Sequence, residues 1–114
     1  DLANERGICA VVFVHTRLYW LSLLHPYRRH YAVVMQAAQE RGLAAIESFP
    51  AFRGESAQSL WIAPLDPHPN ARGHEILAGA LDAGLEALPA GCWQLHPPRG
   101  PAVPAPGPSS ARKR

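Results

Sequence analysis

The chain has 114 residues, 47% of them hydrophobic and 18% charged, which suits a single globular unit with one modest core rather than a wholly disordered chain. Its formal net charge of +2 is uneven, because residues 1–95 carry seven basic against nine acidic side chains and the other four basic residues lie in residues 96–114. The part expected to fold therefore lacks the basic cluster of a nucleic-acid-binding protein, and no apolar run approaches the roughly 20 residues that cross a bilayer.

The first two elements predicted are the end of a helix and a buried strand. Residues 1–6 are typical of a last helical turn, with Gly7 as its left-handed cap. Residues 8–14 (ICAVVFV) are continuously apolar, which predicts a central parallel strand buried on both faces. Because the chain starts inside a predicted helix with Asp1 rather than Met, we expect its true N-terminus to be missing, so that a signal peptide and the compartment cannot be read.

A loop or short irregular helix over residues 15–25 leads to a predicted helix over residues 26–41. Pro26 suits the first helical position, where its missing N–H costs nothing. Gly42 ends this helix, and residues 43–46 (LAAI) form a second short strand. Apolar side chains at three- and four-residue steps predict one buried helix face, made of Tyr27, Tyr31, Val34, Met35 and Ala38.

The remaining elements complete an α/β pattern. Residues 51–65 are expected to be a connecting loop, and residues 71–88 a third helix with Asn70 as its N-cap. A strand, a helix, a second strand and a second helix in this order predict crossover connections onto a parallel sheet. Residues 96–114 contain six prolines and almost no large apolar side chains, so we interpret residues 1–95 as the folded part and the rest as a disordered, Pro-rich basic tail.

Two cysteines are too few for a disulfide framework. Cys9 lies inside the apolar run and is predicted to be a small buried hydrophobe. Cys92 follows the last helix, and a bridge between Cys9 and Cys92 stays open at this point.

The run Asp66-Pro67-His68-Pro69-Asn70 holds the chemistry that the sequence offers. The prolines on both sides of His68 restrict the backbone and predict a loop just before the third helix. In open α/β sheets such loops carry ligands and catalytic groups. A histidine held in one tautomer by a nearby carboxylate can accept a proton from a hydroxyl nucleophile, so His68 and Asp66 are the candidate catalytic residues.

Other interpretations of these residues stay open. Asp66 followed by a proline is also common in turns, and Asn70 is favoured as a helix cap over a substrate contact. His15, at the carboxyl end of the first strand, is a candidate for lining the site. Asp66, His68 and His74 offer three potential metal ligands within nine residues, but they straddle a loop and a helix turn, and we predict no metal.

The stretch from Asp66 through Asn70 to Gly73 and His74, followed by an alanine- and leucine-rich helix, resembles the last conserved block of SGNH/GDSL-type serine esterases. The step from Asp66 to His68 is two residues, where three is the commonest spacing in that family. The resemblance covers residues 1 to about 88 and implies a three-layer, flavodoxin-like sandwich with a parallel sheet, of which this chain holds the C-terminal portion. It further implies that His68 is the general base, that Asp66 orients it, and that no cofactor takes part.

The same resemblance defines what is missing. The family's serine nucleophile lies in a Gly-Asp-Ser turn, and its oxyanion hole uses a glycine and an asparagine from other blocks; none of these blocks is visible here. We therefore expect the parent protein to hydrolyse a small-molecule or acylated ester, and the chain alone to be inactive. The alternative is a non-catalytic remnant or interaction module with a disordered tail. The acyl group, the alcohol and the oligomeric state cannot be read from the sequence.

Overall fold

The computed structural model describes residues 2–89 and residue 92, so the tail predicted over residues 96–114 lies outside the described residues. The described part is a mixed α/β fold with one parallel strand pair and one antiparallel hairpin, which confirms the predicted α/β class. Its elements are α1 (Leu2–Glu5), β1 (Val11–Val14), α2 (Arg28–Glu40), β2 (Ala44–Glu47), α3 (Phe49–Phe52), a 3₁₀ turn (Ala57–Leu60), β3 (Trp61–Ala63), β4 (Asp66–Pro69) and α4 (Ala71–Glu86).

Strands β1 and β2 run parallel, in a register that pairs Val11 with Ala44 and Val14 with Glu47. Helix α2 connects them and packs on both strands. Its start differs from the prediction, because Pro26 lies in a turn and the helix begins at Arg28.

Burial of this βαβ unit is shallower than predicted. On α2, Tyr31 and Ala38 are buried and Met35 is half-buried, but Val34 is 44% exposed, so the apolar face is narrower than predicted. In β1 only Val14 is buried, and the other three residues are half-buried. The prediction of a strand buried on both faces is therefore wrong for the described chain, in which β2 is the one strand that pairs with β1.

Most of the core lies beyond the carboxyl ends of β1 and β2 rather than beneath the sheet. The unpredicted helix α3 directly follows β2 and buries both of its phenylalanines. One cluster of buried side chains contains Leu18, Leu21, Phe52, Leu60 and Leu77, and a second contains Val14, Tyr31 and Phe49.

The segment predicted as a loop around His68 is an antiparallel hairpin. Strand β3 pairs with β4, so that Trp61 lies opposite Pro69 and His68 lies on a strand rather than in a loop. Proline is tolerated in an edge strand because its missing N–H need not join a ladder. The Trp61 indole N–H donates to the carbonyl of Leu18 at 2.7 Å and ties the hairpin to the core.

Helix α4 begins as predicted, since the Asn70 side chain accepts a hydrogen bond from the Gly73 N–H at 3.1 Å. Beyond this helix, Cys92 forms a disulfide with Cys9 across a sequence separation of 83 residues. Cys9 is exposed, so the prediction that it is a small buried hydrophobe is wrong. None of the described helices is both long and apolar enough to cross a bilayer.

Candidate active site

Asp66 and His68 are neighbours on one side of β4, because side chains two residues apart on a strand point to the same face. One oxygen of the carboxylate, Asp66 Oδ1, accepts hydrogen bonds from both the ring N–H at Nδ1 and the backbone N–H of His68, the latter at 3.1 Å. The two-residue step is therefore sufficient to bring the carboxylate onto the imidazole.

This geometry selects one tautomer of the imidazole. A carboxylate can only accept, so Nδ1 carries the proton and Nε2 of a neutral ring keeps its lone pair. The His68 side chain is 81% exposed, and no hydrogen bond within the described residues occupies its Nε2. A bare, accessible Nε2 backed by a carboxylate on the opposite nitrogen is the arrangement that a general base needs.

The same contacts change the acidity of the carboxyl group. The pKa of Asp66 is lowered, first by the hydrogen bond from the His68 ring and then by the bond from the His68 backbone N–H. Asp66 therefore stays ionised across the pH range in which imidazoles titrate.

The imidazole stands at a groove of about 310 Å³ between β4 and the segment that follows β1. His15, the candidate for lining the site, is one of the residues of this groove and follows the carboxyl end of β1. The lining consists of His15, Thr16, Arg17, Leu18, Tyr19, Pro67, His68 and Pro69.

A buried hydroxyl pair fixes the floor of the groove. Ser48 Oγ donates to the carbonyl of Val14 at 3.0 Å and accepts from the backbone N–H of Thr16 at 2.9 Å. The Thr16 hydroxyl, 2.8 Å away, can therefore only donate to Ser48 Oγ. Both side chains are fully buried, so neither hydroxyl is available as a nucleophile.

A buried histidine organises the wall of the groove. His25 Nδ1 donates to the carbonyl of Tyr19 at 2.7 Å, and its Nε2 accepts from the Tyr31 hydroxyl at 3.0 Å. The Tyr31 oxygen in turn accepts from the backbone N–H of Arg17 at 2.7 Å, and burial raises the pKa of this phenol. The His25 ring stacks on Phe49 with centroids 4.7 Å apart. This contact anchors the segment between β1 and α2 to the core.

The described residues of the groove do not include the other half of an acyl-transfer site. The backbone N–H groups of Thr16, Arg17 and Tyr19 already donate within the fold, so they are not free to stabilise an oxyanion. Within the described residues, no hydroxyl bonds to His68. The described part also contains no group of three or more His, Cys, Asp or Glu side chains that could hold a metal ion.

Two further residues of the sequence motif have other positions. Besides capping α4, Asn70 donates from its side-chain amide to the carbonyl of Ser59 at 2.9 Å, so it joins the hairpin to the 3₁₀ turn. It does not line the groove of His68. His74 is exposed on α4, and its backbone N–H donates to the Asn70 carbonyl as part of the helix start.

The sequence interpretation missed the hydroxyl pair and His25. A partial signal for the first exists, because Thr16 and Ser48 both follow the carboxyl ends of adjacent parallel strands, which lie at the same edge of the sheet. The importance of His25 has no such local signal, since it depends on contacts with two different elements.

The sequence matches no protein-family model, and no curated protein or solved structure is significantly similar to it. The function assigned to the chain therefore rests on the geometry around His68 and on the sequence motif that contains it.

Proposed function

We propose that the chain is the base-bearing, C-terminal portion of an SGNH-type serine esterase with a flavodoxin-like sandwich. In this proposal His68 is the general base, Asp66 orients it, and the serine nucleophile and oxyanion hole come from chain segments upstream of Asp1. The substrate is a small-molecule or acylated ester.

The observation that carries this proposal is the paired hydrogen bonding of Asp66 to the ring and backbone of His68, with Nε2 left accessible. An ordinary surface histidine does not need a carboxylate on Nδ1 or a proline on each side. The position of His15 and Thr16 in the same groove supports it further, since ligands of open α/β sheets bind beyond the carboxyl ends of the strands.

Incomplete coverage of the βαβ unit supports the larger sandwich. Val33 on α2 is 66% exposed and Val34 is 44% exposed, while most of β1 is half-buried. Apolar side chains on a helix and strand of this kind are normally covered by further layers. Additional parallel strands and helices of the proposed domain would cover them.

The chemistry of the proposed site is acyl transfer. The upstream serine attacks the ester carbonyl while His68 Nε2 takes its proton, and the imidazolium is stabilised by Asp66. His68 then returns the proton to the leaving alcohol, which leaves an acyl-serine. Water attacks this intermediate with His68 again as base, releasing the acid and regenerating the serine.

The test is hydrolysis of p-nitrophenyl acetate by the chain expressed together with its upstream coding sequence. We expect that sequence to contain a Gly-Asp-Ser block, and His68→Ala to lower kcat by about 10²–10⁴-fold because the general base is lost. His74→Ala is the matched control, since His74 is exposed six residues away and should keep full activity. The 114-residue chain alone should show no turnover above its own His68→Ala variant.

Two results would contradict the proposal. One is an upstream reading frame that starts close to Asp1 without a Gly-Asp-Ser block, which would favour a non-catalytic interaction module. The other is an active enzyme in which His68→Ala and His74→Ala have equal kcat.

A further inference from the structure

A second and larger cavity, of about 700 Å³, shares Tyr19 with the groove of His68. Its volume is typical of pockets that hold small ligands. Three aromatic side chains, Tyr19, Trp20 and Trp61, belong to its lining, and we call it the aromatic groove. Its remaining lining residues are Leu21, Ser22, Leu24, Gly54, Glu55, Ser56, Ala57 and Gln58.

Two of the three rings are held in place before any ligand binds. Trp61 is fixed by the hydrogen bond from its indole N–H to the Leu18 carbonyl at 2.7 Å. Tyr19 packs edge-on against Trp61, with centroids 5.8 Å apart and an interplanar angle of 68°. Rings fixed in this way lose little conformational entropy when a ligand binds.

The third ring is exposed on a strained backbone. Trp20 has φ +40°, the one positive φ at a non-glycine residue among those that the structure describes, and its side chain is 76% exposed. Neighbouring hydrogen bonds hold this conformation, since the Trp20 carbonyl accepts from the Ser22 N–H at 2.7 Å and His25 binds the carbonyl before it. An exposed indole on a strained residue does little for the fold, and such strain is common where a ligand is bound.

The polar part of the lining defines the chemistry of the occupant. Glu55, Gln58, Ser22 and Ser56 offer a carboxylate, an amide and two hydroxyls, and none of the described residues that line the groove is Lys, Arg or His. An anionic ligand would face the Glu55 carboxylate, because Arg72 is not among the residues that line the groove. An aliphatic acyl chain would remove the polar groups of the lining from water without hydrogen bonds. Arg72 lies 4.0 Å from Glu55 and reduces the attraction for a cation.

From this combination we infer that the aromatic groove binds an uncharged sugar ring of a carbohydrate. The C–H face of a pyranose carries weak positive charge and packs on the negative face of an aromatic ring, while its hydroxyls bond to the polar groups at the edge. This sugar site is inferred from the residues of the aromatic groove and does not depend on the proposed esterase function.

A consequence for the substrate follows, and it rests on the proposed function. Tyr19 lines both the aromatic groove and the groove of His68, and Trp61 is paired across the hairpin with Pro69, which also lines the groove of His68. A sugar bound against Trp20 and Trp61 would thus present an ester substituent to His68. The ester substrate is then an acylated carbohydrate.

The binding test uses the 114-residue chain and four uncharged hexasaccharides, namely cellohexaose, xylohexaose, mannohexaose and chitohexaose. We expect at least one to give a saturable change in tryptophan fluorescence and to shift the indole N–H resonances of Trp20 and Trp61. Trp20→Ala should weaken that binding by about tenfold or more, because one stacking face is lost. Leu65→Ala is the matched control, since Leu65 is 95% exposed in the β3–β4 turn and outside the groove.

The inference is overturned if no hexasaccharide shifts the two indole resonances at about 10 mM, a concentration that would reveal even weak binding. It is also overturned if sodium octanoate or tetramethylammonium shifts them and the sugars do not. If the chain binds a sugar but the longer protein shows no His68-dependent ester hydrolysis, the sugar site stands and the proposed function is refuted. If the longer protein hydrolyses esters through His68 but no sugar binds, only the sugar site is refuted.

Discussion

Gly84 and Gly79 both lie in α4, but a side chain would meet different surroundings at the two positions. A Cβ at position 84 would approach three atoms of the Ile46 side chain at 2.5, 2.7 and 2.8 Å, whereas one at position 79 would have no neighbour within 4 Å. Ile46 is buried in β2, and its branched Cβ leaves it little rotamer freedom with which to move away. Gly84→Ala and Gly79→Ala should therefore differ in stability.

The size of the difference follows from two effects. Both substitutions gain helix propensity, about 0.8–1.0 kcal/mol, because alanine is favoured over glycine inside a helix. Gly84→Ala in addition forces a methyl group against Ile46, and overpacking of this kind costs about 1–3 kcal/mol. Since the propensity gain is common to both, we expect the free energy of unfolding of Gly79→Ala to exceed that of Gly84→Ala by about 1–3 kcal/mol.

Equilibrium urea unfolding, followed by tryptophan fluorescence, measures both variants against the unsubstituted chain. A further substitution, Ile46→Val, removes the Cδ1 that lies 2.7 Å from the added methyl and should return part of the stability lost in Gly84→Ala. Equal unfolding free energies for the two alanine variants would refute the close packing of α4 on β2.

Three further predictions concern the disulfide, the helix cap and the carboxylate. Reducing the bridge between Cys9 and Cys92 should lower the free energy of unfolding by about 4.5 kcal/mol, because the closed loop is long; an unchanged urea midpoint after reduction would contradict this. Asn70→Ala should cost about 1 kcal/mol of stability through loss of the cap, and a thermal transition unaltered from the parent chain would argue against it. The pKa of Asp66, measured by ¹³C NMR, should lie below the ordinary range of an aspartate, and His68→Ala should raise it only partly, because the backbone hydrogen bond remains. Because the pKa of Asp66 is lower in the folded chain than in the unfolded chain, Asp66 contributes its full stability above the unfolded pKa. This stability is lost as the pH falls through the folded pKa. A folded pKa that His68→Ala leaves unchanged would contradict the pairing of Asp66 with His68.

What the sequence predicts well is local. The start of α4 and its Asn70 cap follow from a polar residue placed just before an apolar repeat. The hydrogen bond between Asp66 and His68 depends on a strand that the sequence analysis did not predict, because a two-residue step puts both side chains on one face only in a strand. Gly7 and Gly42 have the positive φ expected of residues that end helices.

The misses depend on contacts between distant segments. The hairpin around His68 was predicted as a loop because prolines are rare in strands, and its pairing with Trp61–Ala63 cannot be read from β4 alone. The disulfide joins residues 83 positions apart, so sequence spacing could not decide it. The exposure of Val34 depends on which layers cover α2, and the spacing of apolar residues in the sequence does not show this.

The central claim is that Asp66 holds His68 as a base with an accessible Nε2, and the imidazole tautomer tests it most directly. Long-range ¹H–¹⁵N correlation spectra of the 114-residue chain, recorded where the imidazole is neutral, distinguish a protonated ring nitrogen from a bare one. We predict that His68 carries its proton on Nδ1 and that Asp66→Asn weakens this preference, while His74 shows no change between the two chains. A His68 ring protonated on Nε2, or a tautomer indifferent to Asp66→Asn, would contradict the account.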